Sequence, residues 1–321
     1  MSWIALVLTL LLEQVRAMPS SNPVYAGAAA WADKVARNLN AGKVRHGVYG
    51  WLLVVGAGVV LTLVVFELAR SWNWLAALVV DVFVLFFALG FRQFSHPITV
   101  IQAALEQGDV DEARRVFASW RRNTDPAFDP TELSESEIAR QSIEFGLLAA
   151  HRHVFGVLFW FLVLPGPSGA VLYRLSEYLA RHWNRPLAAG DAGIPPDLFG
   201  QFAQLAYAWI DWLPARLTAL GFAIVGDFEG ALYCWRNTTV ESRPNAVSDR
   251  VLILAAASGA MGIRLLSAID SAKYLDPAAQ EGAGLAEAGA ESLRSAVGLA
   301  WRAMVLWLVL LLLLTLASAL A

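Results

Sequence analysis

The chain has 321 residues, 57% hydrophobic and 16% charged, with a mean hydropathy of +0.52 and a formal charge of −3. A charged fraction so far below the roughly one quarter of soluble domains excludes an ordinary water-soluble protein, and slight acidity without a basic block argues against a nucleic-acid partner. The single cysteine, Cys234, excludes an intrachain disulfide and a cysteine-based zinc site.

The predicted fold class is all-α: a polytopic integral membrane helical protein with a helical cytoplasmic insert. The expected divisions are an N-terminal membrane region over 1–97, the insert over 98–144, and a C-terminal membrane region over 145–321. Thirteen tryptophans, several near the ends of apolar runs, suit the aromatic belts of a bilayer.

Residues 2–12 are apolar but too short to span alone. With no basic stretch ahead of them, they are expected to be retained rather than cleaved. Residues 26–46 are helical in pattern and carry Lys34, Arg37, Lys43 and Arg45. The uncharged stretch 46–66 is long enough for one spanning helix. Glu67, Arg70 and the tryptophans Trp72 and Trp74 mark a tight turn, and 75–91 is expected to return across the membrane with Asp81 inside it. An intramembrane acid either pairs with a neighbouring helix or marks function, and Asp81 is a candidate in both senses.

Within the insert, IQAALEQGDVDEARRVFASWRR reads as two helices broken at Gly108 and Asp109. Ser134 and Glu137 form a capping box, and the helix they open is expected to run into the membrane. On it Arg140, Glu144 and His151 recur at four and seven positions and share one face. The His151–Arg152–His153 run is read as juxtamembrane solvation, because His-x-His rings on a helix point to different sides. Apolar residues 154–164, a break at 165–169 and a return over 170–179 predict a hairpin, spanning or re-entrant.

After a polar loop over 181–204, residues 206–231 form the helix that anchors the reading. Pro214 has no N–H and leaves the carbonyl of Ile210 without its helical partner. In lipid that carbonyl needs a donor from elsewhere in the protein. Asp211 and Arg216 flank the break about 140° apart on a straight helix, and a kink would bring them together. The expectation is a structural ion pair, with a substrate or signalling site as the alternative. A second polar loop covers 236–250. Residues 251–266 then form an apolar helix with Ser258 and Gly262 at small-xxx-small spacing. Residues 270–294 read as a mobile loop with some helix, and 302–321 as a terminal spanning helix. The basic residues of 26–46 and 92–152 place both segments in the cytoplasm.

The chain contains no GxxxxGK[ST] loop, no GxGxxG at a strand–helix turn, no HExxH, no GxSxG and no kinase set. First principles therefore name no catalytic residue, no metal and no cofactor. The candidate functional or structural polar residues are Asp81, Glu144, His151, Asp211, Pro214 and Arg216.

An ordered set of segments nonetheless resembles a family: GDVDEAR (108–114), Glu144 through LFW (158–160), GPSGAVLYR (166–174), DWLPARLTAL (211–220) and GAMGIRL (259–265). Together they look like the CobD/CbiB integral-membrane family of cobalamin biosynthesis and its relative AmpE. The cobalamin branch implies an ATP-dependent amide synthase joining an aminopropanol, or its phosphate, to a corrin carboxyl group. Where that branch carries polar clusters, this chain has Leu148–Ala149, Arg152–His153, Glu177 to Ala180 and Tyr207–Ala208. Glu144, Asp211 and Arg216 remain as polar matches. On that ground the expected function is a non-catalytic signalling modulator of the AmpE-like branch in the bacterial inner membrane. The synthase is the first alternative and a small-solute carrier the second. The expected partners are the lipid bilayer and a membrane protein or a second copy of the chain.

Overall fold

The computed structural model describes residues 2–15, 23–122, 124–125, 128–184, 198–239, 245–276 and 284–320. Its helices are α1 (Ser2–Val15), α2 (Pro23–Leu39), α3 (Val44–Trp72), α4 (Trp74–Ala88), α5 (Phe91–Glu106), α6 (Val110–Arg122) and α7 (Glu135–Val163). They continue with α8 (Ser168–His182), α9 (Gln201–Val225), α10 (Phe228–Arg236), α11 (Ala246–Met261), α12 (Ala268–Tyr274) and α13 (Ala290–Leu320). The described residues contain no strand, only the isolated bridges Thr238–Leu275 and Ile263–Ala286. The protein is all-α.

Among the described residues four helices are long and apolar enough to cross a membrane: α3, α7, α9 and residues Ala290–Ala317 of α13. The helix expected to return over 75–91 is shorter. As α4 it has 15 residues, which at 1.5 Å each reach about 22 Å against a hydrocarbon core of about 30 Å. The anchoring helix also stops early. It ends at Val225, and Asp227 caps α10 by accepting from the N–H groups of Glu229 and Gly230 at 3.1 and 3.2 Å. Most of the polar loop expected over 181–204, and part of that over 270–294, lies outside the described residues.

The chain divides into two units. One comprises Met1–Gly90, Phe155–Pro214 and Pro244–Ala246. In it α1 lies on α4, and α8 packs against α3 and α4. Only Asn73 separates α3 from α4, and its side-chain oxygen caps α4 by accepting from the Leu75 N–H at 3.1 Å. The hairpin expected over 154–179 is present, with α8 folding back on the end of α7. The two helices come so close that a Cβ on Gly169 would lie 1.8 Å from the carbonyl oxygen of Trp160. Ala32, Val35, Val54, Val55, Leu179 and Ala203 form a buried core cluster of this unit.

The other unit comprises Phe91–Val154, Ala215–Arg243 and Val247–Ala321. Gly108, at φ +74°, turns the chain between α5 and α6 as the sequence predicts. Ser134 caps α7 by accepting from the Glu137 N–H at 3.3 Å. α13 seats its first half on α5 and α7 through Leu293, Ala296, Leu299, Ala300 and Ala303, all buried at helical spacing. Further on, Leu310, Leu313, Leu314 and Leu316 are exposed, as suits a lipid-facing helix. The close helix approach in α11 is made by Gly259, not by the predicted Ser258–Gly262 pair. A Cβ on Gly259 would stand 2.0 Å from the Gly230 carbonyl oxygen of α10. Gly262 instead ends the helix at φ +68°, and the Ser258 hydroxyl donates to Leu254 O at 2.7 Å while accepting from the Leu265 N–H at 3.3 Å.

Candidate functional site

The second unit holds a polar centre built on the first half of α7. Glu137, Arg140 and Glu144 lie three and four positions apart, so they stack along one side of the helix. The Arg140 guanidinium donates to both carboxylate oxygens of Glu137, at 2.6 and 2.8 Å, and to Glu144 at 3.1 Å. It also donates to the carbonyl of Leu265 at 2.5 Å, which ties the loop after α11 to α7. Arg250, on α11, grips Glu144 from the other side and reaches Asp270 of α12 at 3.2 Å. Asp270 in turn accepts from the Ser267 hydroxyl at 3.0 Å. Opposite charges thus alternate through Glu137, Arg140, Glu144, Arg250 and Asp270, and Glu144 is only 8% exposed. Burying a carboxylate without a partner is costly; here two guanidiniums meet it.

Beside this chain of charges lies a cavity of about 630 Å³. Glu137 and Arg140 form part of its wall. Arg264, Ser267, Ser271 and Glu287 supply other polar groups, with Leu266 and Leu285 among the apolar lining. Its size falls within the range of small-molecule sites.

Two turns further along α7 His151 is buried, and its Nδ1 is 2.8 Å from the Thr218 hydroxyl of α9. This corrects the expectation of a solvated juxtamembrane histidine: a π-helical turn over His151–Phe155 carries the ring inward. Arg216 on α9 pairs with Asp249 on α11 at 3.0 Å.

In the first unit Asp211 accepts from the Tyr173 hydroxyl at 2.7 Å, and the hydroxyls of Tyr173 and Tyr207 are 3.2 Å apart. The predicted Asp211–Arg216 pair is therefore replaced by two separate assignments, Asp211 with Tyr173 and Arg216 with Asp249. A spacing of five leaves the two side chains on different faces, and each meets a different helix. Tyr173 fits only because Gly156 faces it, where a Cβ would stand 2.1 Å from the ring. The carbonyl of Ile210, freed by Pro214, accepts from the indole N–H of Trp160 at 3.0 Å. Asp81 is 4% exposed in α4, and its Oδ1 has no hydrogen-bond partner among the described residues.

The structure thus brings Glu144 into the polar centre, puts His151 and Arg216 elsewhere in the same unit, and places Asp81, Asp211 and Pro214 in the other. Sequence reasoning missed Arg250, Asp270 and Arg264. Arg250 stood at the end of what read as a loop, and only its place beside Asp249 at the start of an apolar helix marked it. Among the described residues no three His, Cys, Asp or Glu side chains meet in a geometry that could hold a metal ion.

The family model described as CobD/Cbib protein matches residues 2–300. A curated protein from Stutzerimonas stutzeri (strain A1501), named cobalamin biosynthesis protein CobD, is 31% identical over 317 residues, 97% of each chain. One of the same name from Chromobacterium violaceum is 35% identical over 217 residues, 65% of this chain and 63% of its own. No solved structure matches the chain. These relatives overturn the expectation of a non-catalytic signalling modulator, and nothing in them supports the AmpE-like branch. The replacements at 148–149, 152–153, 177–180 and 207–208, which motivated that expectation, do not prevent the match to relatives named for cobalamin biosynthesis. With the match running almost end to end and the membrane helices in place, this chain belongs to the CobD/CbiB family.

Proposed function

We propose that the protein is a cobalamin-biosynthesis enzyme of the bacterial cytoplasmic membrane, forming an amide between an aminopropanol, or its phosphate, and a corrin carboxyl group at the expense of ATP. The observation that carries this reading is the alignment over 97% of both chains with a relative named for cobalamin biosynthesis. The polar centre of the second unit agrees with it, since a network of ion pairs beside a cavity holds side chains in fixed positions without metal ligands of its own. Magnesium, which ATP chemistry brings with it, needs several free oxygens. Glu137 is held by Arg140 and Gln141, and Asp270 by Arg250 and Ser267. These carboxylates do not fit the ion.

The test is complementation of a strain deleted for its cobalamin amide synthase. Expression of this chain is expected to restore cobalamin-dependent growth, and Arg250→Ala to reduce it by at least about tenfold, because Glu144 then faces Arg140 alone. Failure of the wild-type chain to rescue, when it is folded and in the membrane, overturns the proposal.

A further inference from the structure

Arg264 stands apart from the other arginines around the polar centre. Arg140 and Arg250 each meet a carboxylate, whereas the Arg264 guanidinium has no partner among the described residues, although it lines the cavity. Its backbone is held on both sides. The Arg264 N–H donates to Ala286 O at 2.8 Å, and Ala286 N–H to Gly262 O at 3.0 Å. Ile263 N–H donates to Ser258 O at 3.1 Å, and the Leu265 carbonyl accepts from Arg140. The chain on either side of Arg264 is therefore fixed by α7, by α11 and by the segment before α13. The backbone that carries this guanidinium therefore needs little reorganisation when a ligand binds.

The segment bridged to it adds a second point. Ile263 and Ala286 form a parallel bridge, so Arg264 and Glu287 are the next residues along two segments about 4.8 Å apart. Both line the cavity, both are exposed, and they do not pair with each other or with any other described residue. Among the charged groups on the cavity wall, Glu137 and Arg140 neutralise one another. That leaves one cation and one anion facing the space.

We propose that this cavity binds an oxyanion, with Arg264 as the residue that holds a phosphoryl or carboxylate group. The assignment names the ligand class for the enzymatic reading above and rests on that reading for its biological meaning. Arg264 presents a planar fork of donors that matches two oxygens of such a group. Glu287 disfavours a second negative charge beside it, so the rest of the ligand is neutral or cationic. The hydroxyls of Ser267 and Ser271 lie on the same wall.

The experiment measures binding of inorganic phosphate and of acetate by calorimetry, using the full chain in phosphatidylcholine nanodiscs. The wild-type protein is expected to bind, Arg264→Gln to bind about tenfold more weakly or worse, and Arg264→Lys to fall between them. Arg115→Gln, an exposed arginine of α6 paired with Glu112, should bind as the wild type. Equal binding by Arg264→Gln and wild type overturns the proposal. So does loss of wild-type phosphate binding when phosphatidylglycerol is added to the nanodiscs, because Arg264 would then serve a lipid headgroup. Complementation is scored separately. Binding that depends on Arg264 in a chain that fails to rescue leaves the oxyanion site standing and removes the enzymatic reading. Rescue by a chain whose binding ignores Arg264 does the reverse.

Discussion

At the scale of single residues, the orphan carbonyl of Ile210 gives the sharpest energetic test. Proline at 214 dictates that this carbonyl lacks a helical donor, and that much was legible in the sequence. The donor itself was not, because Trp160 lies fifty positions away and only the fold brings it there. Trp160→Phe keeps most of the ring but removes the N–H, leaving a part-buried acceptor unsatisfied. The expected cost is about 1–3 kcal/mol, read as a lowered unfolding temperature by circular dichroism in detergent. In a Pro214→Ala background the alanine N–H can satisfy Ile210, so the cost of Trp160→Phe should shrink. An undiminished cost there would mean that the indole contributes by packing alone.

Pairs of helices explain why charges legible as candidates were assigned the wrong partners. Arg140 and Glu144 follow the local rule that residues four apart meet, and they do meet. Asp211 and Arg216 obey no such local rule, and their partners sit on α8 and α11. Arg216→Ala leaves Asp249, only 2% exposed, without its guanidinium, at an expected cost of about 3–5 kcal/mol. The double replacement Arg216→Ala/Asp249→Ala should recover part of it. Cys234 provides the readout. Burial, with Asp227 nearby, pushes its thiol above the ordinary value, so a fluorogenic maleimide reacts slowly until this unit opens. Each single variant should label at a lower temperature than the wild type, and the double variant at an intermediate one. Strict additivity of the two losses would show that the residues are not partners. The same assay addresses α10 against α11. Gly259→Ala places a methyl inside van der Waals distance of the Gly230 backbone, where no flexible side chain can yield, and overpacking of this kind costs about 1–3 kcal/mol.

For the whole molecule, the all-α membrane class was legible because hydropathy and helix length report it directly. The folding of 321 residues into two units made from interleaved segments was not, since hydropathy carries no information on which helices pair. Orientation follows from charge. Basic residues concentrate in 26–46 and 92–152, so α5 and α6 are expected on the cytoplasmic side by the positive-inside rule. The cavity wall includes Ser136 and Glu137 at the first turn of α7, within the 98–144 segment for which the same side is expected. The cavity should therefore open to the cytoplasm, the side on which ATP is available. The expected outcome is that Ser136→Cys reacts with a membrane-impermeant maleimide in inverted vesicles but not in intact spheroplasts, with buried Cys234 silent in both. Labelling from the outside would reverse the orientation and put the cavity on the side without ATP, and the enzymatic reading would fall with it.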